Sequence, residues 1–95
     1  MRKSCLIKEL AKRHNMSRKE TELIVNDFLD IIVESLKAKE SVVFSGFGSF
    51  VPFKKKEREV YLPGTDIKVK IRATYSVKFR PSKKLQEILE KEIED

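Results

Sequence analysis

The chain has one cysteine, one histidine, no tryptophan, three glycines and three prolines in 95 residues. Cys5, alone, excludes an intrachain disulfide and fits a reducing compartment. His14 has no cysteine or carboxylate cluster near it at metal-ligand spacing, which excludes a metal centre built on it. No nucleophile–base pair, paired acid site or phosphate-binding loop of the Gly-Lys type is present. The chain therefore does not read as an enzyme, and neither a cofactor nor a small-molecule substrate is expected. No apolar run approaches membrane-spanning length, so no membrane association is expected. The apolar residues after Met1-Arg2-Lys3 are interrupted at Lys8 and Glu9, unlike a signal peptide, and a cytoplasmic protein is the expectation. Repeats and low-complexity tracts are absent as well.

What the chain does have is charge of one sign in one place. The net charge is +6. Residues 51–80 hold nine Lys/Arg against three Asp/Glu, residues 1–50 hold nine against seven, and residues 81–95 hold three against five. The local balances are therefore +6, +2 and −2, and the whole excess sits in the middle segment. A positive segment of this kind points to a polyanion, of which nucleic acid is the commonest.

That segment reads as a β-hairpin. Residues 54–61 are Lys-Lys-Lys-Glu-Arg-Glu-Val-Tyr, followed by Leu62-Pro63-Gly64-Thr65. Pro then Gly suits a type II turn, because Pro presets φ and Gly supplies positive φ at the next position. After the turn, Ile67, Val69 and Ile71 alternate with Lys68, Lys70 and Arg72, which is the period of a strand. A two-residue Pro63-Gly64 loop sets Glu59 opposite Lys68 and Glu57 opposite Lys70. One face of the ribbon then carries Lys56, Arg58, Val60, Ile67, Val69 and Ile71, two cations and no acid. The other carries Lys55, Glu57, Glu59, Tyr61, Asp66, Lys68, Lys70 and Arg72. The first face is expected to lie against the polyanion and the second to face solvent. An isolated two-stranded ribbon is marginal in water, so this one must project from a body and order against a partner.

The body reads in order. Residues 4–14 look helical, capped by Ser4, with Leu6, Ile7, Leu10 and Ala11 on one face. Ser17-Arg18-Lys19-Glu20 is a capping box that opens a helix over about 18–38. Its apolar residues are Leu23, Ile24, Val25, Phe28, Leu29, Ile31, Ile32, Val33 and Leu36, wider than a single stripe. A second copy of the chain is the simplest cover for that surface. Strands follow over 41–45 and 49–53, joined by a Gly46-Phe47-Gly48 turn whose aromatic should bury in a neighbouring element or subunit. Pro52 implies an edge position or a bulge. A third strand runs over 74–80. Ser82 caps a short last helix over 83–93 with Leu85, Ile88 and Leu89 inward. The class is α+β: a helix hairpin, a three-stranded antiparallel sheet with a long protruding hairpin arm, and a short C-terminal helix. One domain spans 1–95, with a body at about 1–53 and 74–95 and an arm at about 54–73.

Gly46-Phe47-Gly48-Ser49-Phe50, Arg58, Pro63 with Thr65, the alternation from Ile67 to Ile71, and Phe79 followed by Lys83 and Leu85 together resemble the HU/IHF family of bacterial DNA-bending proteins. The likeness runs the length of the chain without an obvious gap. It implies an intertwined dimer, located on the nucleoid, whose two arms wrap double-stranded DNA and insert Pro63 as a wedge in the minor groove. It also implies phosphate contacts from Lys3, the Gly46 and Gly48 turn, Lys83 and Lys84. The lysine run and the acid-free face of the ribbon add Lys55, Lys56, Arg58, Val69 and Ile71 as expected DNA contacts, with Leu62 and Thr65 at the tip and Arg80 at the end of the last strand. Phe28, Ile32, Phe44, Phe47, Phe50 and Phe79 are expected in the dimer interface. At the tip the chain departs from the family, which carries an arginine and an asparagine or lysine before the proline. Tyr61 and Leu62 stand there instead, and Asp66 follows.

The expectation is a homodimeric architectural protein that binds duplex DNA mainly through phosphates and bends or compacts it. One alternative is an IHF-like subunit that pairs with a related chain at a specific site. Another is a basic protein-interaction module. RNA binding lacks an exposed aromatic platform for stacked bases.

Overall fold

The computed structural model of the chain describes residues 1–93. Their elements in order are α1 (Lys3–Arg13), α2 (Arg18–Lys37), β1 (Val42–Phe44), β2 (Gly48–Lys55), β3 (Arg58–Tyr61), β4 (Lys68–Ile71), β5 (Thr74–Pro81) and α3 (Lys83–Ile93). The chain divides into two compact units, Met1–Glu34 and a second that begins at Ser35.

The first unit is a helix hairpin. Ser4 does not cap α1. The helix begins one residue earlier, with Arg2 in extended backbone at the N-cap position and no side-chain cap bond. The Arg2 carbonyl accepts from the Leu6 N–H at 3.0 Å, which draws Ser4 into the first turn. The helix ends as the sequence suggests. Asn15 turns left-handed at φ 51. The Met16 amide reaches the Ala11 carbonyl at 2.9 Å and the Asn15 amide reaches that of Lys12 at 3.4 Å, a Schellman closure. Ser17 then caps α2, its Oγ accepting from the Glu20 amide at 3.1 Å. Thr21 is the most buried side chain among the described residues, and its hydroxyl donates to the Ser17 carbonyl at 2.8 Å. With Ile7, Ala11 and Val25 it forms the small core of this unit. At the far end of α2 the same closure recurs with Lys39 at φ 65, the Glu40 amide on the Ser35 carbonyl and the Lys39 amide on that of Leu36, both 3.0 Å.

The second unit holds two sheets, β1-β2-β5 and β3-β4, all antiparallel. Pro52 pairs with Val77 on β5, while β1 reaches only as far as Phe50. Pro52 therefore has an open side, and its missing N–H breaks no ladder bond there. Lys55 faces Thr74 and Arg58 faces Ile71, three positions further along each strand. The pause between the sheets thus removes no residue from either side, and ribbon and body share one register.

The turn between β1 and β2 sits one residue earlier than the sequence implies. The Phe47 amide closes on the Phe44 carbonyl at 3.0 Å, Gly46 takes positive φ at 79°, and Gly48 already belongs to β2. The Phe47 carbonyl in turn accepts from the Ser82 amide at 2.9 Å, which ties this turn to the start of α3. Ser82 caps α3 through its Oγ, 3.1 Å from the Leu85 amide.

Four phenylalanine rings close a circuit on this sheet. Phe44 meets Phe47 at 6.5 Å and Phe50 at 6.3 Å between centroids, both edge-on. Phe79 meets Phe47 at 5.4 Å and Phe50 at 5.1 Å. These are attractive geometries for aromatic quadrupoles. Yet Phe47 and Phe79 stay 49% and 40% exposed, so the chain's own atoms do not finish covering them.

Candidate nucleic-acid interface

The ribbon corrects one expectation and keeps another. Pro63-Gly64 does not form a two-residue hairpin loop. Tyr61 faces Lys68 and Val60 faces Val69, so every pairing is displaced by two residues from the one the Pro-Gly dipeptide suggests. The reason lies in the loop. Pro63 and Gly64 are the middle of a turn from Leu62 to Thr65, closed by the Thr65 amide on the Leu62 carbonyl at 3.1 Å, with Gly64 at φ 75. A type II turn does not match the twist of paired strands, so the hairpin needs extra loop residues. The Thr65 hydroxyl supplies their bonds: it donates to the Leu62 carbonyl at 3.0 Å and accepts from the Ile67 amide at 3.3 Å.

A displacement of two leaves every side chain on its original face. Arg58, Val60, Val69 and Ile71 remain together on one face, and Glu57, Glu59, Lys68 and Lys70 on the other. The expected charge pairs also form, diagonally rather than directly opposite. Lys70 Nζ lies 2.8 Å from Glu57 and Lys68 Nζ 3.9 Å from Glu59. All four side chains are well exposed, so each pair contributes under about 1 kcal/mol. Their effect on field is larger than their effect on stability. On the second face Lys68 and Lys70 are neutralised in place.

The opposite holds at the ribbon's root. Lys54, Lys55, Lys56, Arg58 and Arg72 line a concavity of about 480 Å³ with Phe53 and Ile71. None of these five cations takes part in an ion pair among the described residues. Lys55, Lys56 and Arg58 are as the sequence suggests. Lys54 and Arg72 join them because the pause in pairing at 56–57 and 72–73 lets both strands contribute to one hollow. No sequence signal marks that pause.

A second cluster gathers at one corner of the same unit. Gly48 pairs with Pro81 and Ser49 with Arg80. The Lys84 side chain passes 3.6 Å from where a Cβ on Gly46 would stand. Together with Lys83 at the head of α3, these place Gly46, Gly48, Arg80, Lys83 and Lys84 in one neighbourhood. Lys3 belongs to the other unit, as the first residue of α1.

Apolar surface is the remaining feature. Leu23, Ile24, Phe28, Leu29, Ile31 and Val33 are all exposed, while Ile32 and Leu36 are half-covered. In the first unit an apolar groove of about 490 Å³ runs along Leu6, Leu10, Ile24, Phe28 and Leu29. Only Ile7, Ala11 and Val25 are buried among the described apolar side chains. Three such residues are too few to stabilise a lone chain of this length. No helix among the described residues is long and apolar enough to cross a membrane.

Comparison with known proteins agrees with these features. The family model described as "Bacterial DNA-binding protein" matches residues 1–90. The DNA-binding protein HU-1 of Halalkalibacterium halodurans is 36% identical over 87 residues, covering 92% of this chain and 97% of the relative. The integration host factor subunit alpha of an Anaeromyxobacter species is 35% identical over 95 residues, covering 100% of this chain and 84% of the relative. Among solved structures, an Anabaena HU–DNA cocrystal structure superposes with a TM-score of 0.84 at 29% identity, over 94% of this chain and 97% of that one. This is a DNA-binding family and not an enzyme family, and a chain matched by it over residues 1–90, with HU and integration host factor subunits among its relatives, belongs to the bacterial DNA-binding proteins.

Proposed function

We propose that two copies of this chain form a homodimer that clasps double-stranded DNA between its arms and bends it, as a nucleoid-associated protein of the cytoplasm. One working unit spans 1–95. The arm, about 54–73, follows the minor groove, with Pro63 as a wedge between base steps. Lys3, the Gly46–Gly48 turn, Arg80, Lys83 and Lys84 hold phosphates along the body. Val69 and Ile71 lie against the groove floor beside Arg58. The observation that carries this reading is the division of charge on the arm. Among the described residues Arg58 and the cations at the root make no ion pair, whereas Lys68 and Lys70 on the other face are held by Glu59 and Glu57.

The dimer follows from the uncovered apolar surface. A second copy, entwined with the first, buries the Phe28 and Ile32 face of α2 and the rings of Phe44, Phe47, Phe50 and Phe79. Affinity then comes largely from phosphates, with little base readout, because the minor groove offers a degenerate code. Selectivity comes from how readily a sequence deforms.

The test is a gel-shift comparison of intact, nicked and four-way-junction DNA across a salt series, with Pro63→Ala as control. The wild-type chain should sediment as a dimer and bind all three, the distorted forms more tightly. Pro63→Ala should keep the dimer and most of the intact-duplex binding but lose much of the preference for distortion. A folded chain that stays monomeric and ignores DNA in dilute buffer removes the proposal. The similarity to an integration host factor subunit supports a second reading, a heterodimer with a related chain. Dimerisation of the purified chain alone, with equal affinity for unrelated duplexes, decides against it.

The arm's faces make a sharper expectation. Arg58→Ala should weaken duplex binding and lower the slope of log affinity against log salt by about one. Glu59→Lys, on the neutralised face, should leave the slope unchanged or raise it. Fluorescence anisotropy at several salt concentrations separates the two. Equal weakening by both substitutions would mean that the faces are assigned the wrong way round.

A further inference from the structure

The tip of the arm carries chemistry that a lone proline wedge does not explain. The Leu62 amide donates to the Ile67 carbonyl at 3.0 Å, which extends the β3–β4 register by one rung beyond Tyr61 and Lys68. Leu62 and Ile67 are therefore cross-strand partners on the ribbon's apolar face. Both are open to solvent, at 41% and 57% exposure, immediately beneath Pro63. Thr65 fixes them. Its hydroxyl binds the carbonyl of the first and the amide of the second, so the pair is held in place before any ligand arrives.

Charge at the tip has the wrong sign for a groove. Between Tyr61 and Ile67 the only ionisable side chain of fixed charge is Asp66. The next residue, Lys68, has its ammonium drawn to Glu59 and near the Tyr61 ring, at 3.9 Å and 5.8 Å. Narrow A-tract grooves concentrate negative potential and attract inserted cations. This tip offers such a groove no cation, and it brings an aspartate.

On the reading that the arms enter the minor groove, we propose that Leu62 and Ile67 form a second apolar blade beside Pro63. Together with Asp66 this blade directs the protein to duplex steps that open easily and away from A-tracts. An apolar pair repays insertion only where bases unstack and expose their faces. Pyrimidine–purine steps such as TA and CA do so readily, whereas A-tracts are stiff. Asp66 adds an electrostatic penalty that falls hardest on the narrow groove. The tip thus reads deformability through two independent groups, one rewarding the open step and one disfavouring the closed one.

The experiment uses the full chain and two duplexes of equal length, one centred on TA and CA steps and one on an A-tract. Both are titrated in the same buffer, and the ratio of the two Kd values is read. The wild-type chain should favour the flexible duplex by about tenfold, the scale expected from burying one or two exposed aliphatic side chains. Leu62→Ser combined with Ile67→Ser should weaken binding to the flexible duplex by about that factor and to the A-tract duplex by less, so that the ratio falls toward one. Asp66→Asn should act on the other side, tightening A-tract binding more than binding to the flexible duplex. Leu62→Arg should improve A-tract binding as well. The salt slope and the melting temperature of each variant report whether the dimer and its phosphate contacts are intact, since the substituted side chains are exposed. A wild-type ratio near one, or a ratio unmoved in the serine double variant and in Asp66→Asn, overturns the inference while leaving the clasp standing. Loss of binding to both duplexes by the wild-type chain overturns the clasp itself.

Discussion

Raising the salt from about 50 to about 200 mM should weaken binding to an intact duplex by roughly 10³- to 10⁵-fold, the range for a protein that neutralises six to ten phosphates. The candidate cations are Lys3, Lys55, Lys56, Arg58, Arg80, Lys83 and Lys84, present twice in a dimer. The three ion pairs among the described residues are Arg13–Glu9, Lys68–Glu59 and Lys70–Glu57, and they use none of these seven. No internal carboxylate has to be displaced when a phosphate arrives. Each contact should therefore release counterions from DNA without first breaking a bond within the protein. Each phosphate neutralised then adds about 0.9 to the slope of log affinity against log salt. A slope below about three would mean that most of these cations never reach the backbone. Specific polar or apolar contacts would then have to carry the affinity.

Gly48→Ala should lower the melting temperature by about 10–20 °C at fixed protein concentration. A Cβ at this position would stand 2.5 Å from Cζ of Phe79, 2.7 Å from its Cε1 and 2.6 Å from the carbonyl oxygen of Arg80. The ring has little freedom to retreat, because Phe47 and Phe50 flank it. The carbonyl can move only if β2 and β5 part near the Gly48–Pro81 and Ser49–Arg80 pairs. Overpacking of this kind costs about 2–3 kcal/mol, which for a chain of this size gives the stated shift. The same rings are proposed for the dimer interface, so concentration must be held constant. Gly64→Ala is the contrasting case. Nothing lies within 4 Å of a Cβ there, and only its φ of 75° resists substitution, a strain of about 1 kcal/mol confined to the tip. Scanning calorimetry on both variants separates crowding from backbone strain. Similar melting of Gly48→Ala and wild type would disprove the close contact with Phe79.

The helices were legible because their signals are local. Ser17 with Glu20, and Ser82 ahead of Leu85, mark starts that the structure places within one residue. Ser4 misled because a cap depends on backbone outside the helix, and Arg2 adopts the extended conformation first. In the ribbon, alternation revealed the two faces, and no error in pairing by an even number could disturb them. Loop length was hidden, since Pro63-Gly64 specifies a turn type and not the number of residues needed to join that turn to twisted strands. The charge pairs survived for a simple reason: lysine is long enough to reach a diagonal neighbour. The hollow at the arm's root depends on where hydrogen bonding pauses, and composition carries no trace of that. The breadth of apolar residues on α2 pointed to an oligomer directly, and their exposure in the chain agrees with it.

The shared register of arm and body constrains how such an arm can change length. Adding one residue to each strand would keep the partners aligned but rotate everything beyond it by half a turn of the pleat, so that the wedge would point away from the groove. Two residues per strand restore the orientation. Arms that keep their aim should therefore differ in reach by increments of about 7 Å, the rise of two residues. A graft that transplants this arm onto another scaffold, or trims it, would have to respect that quantum.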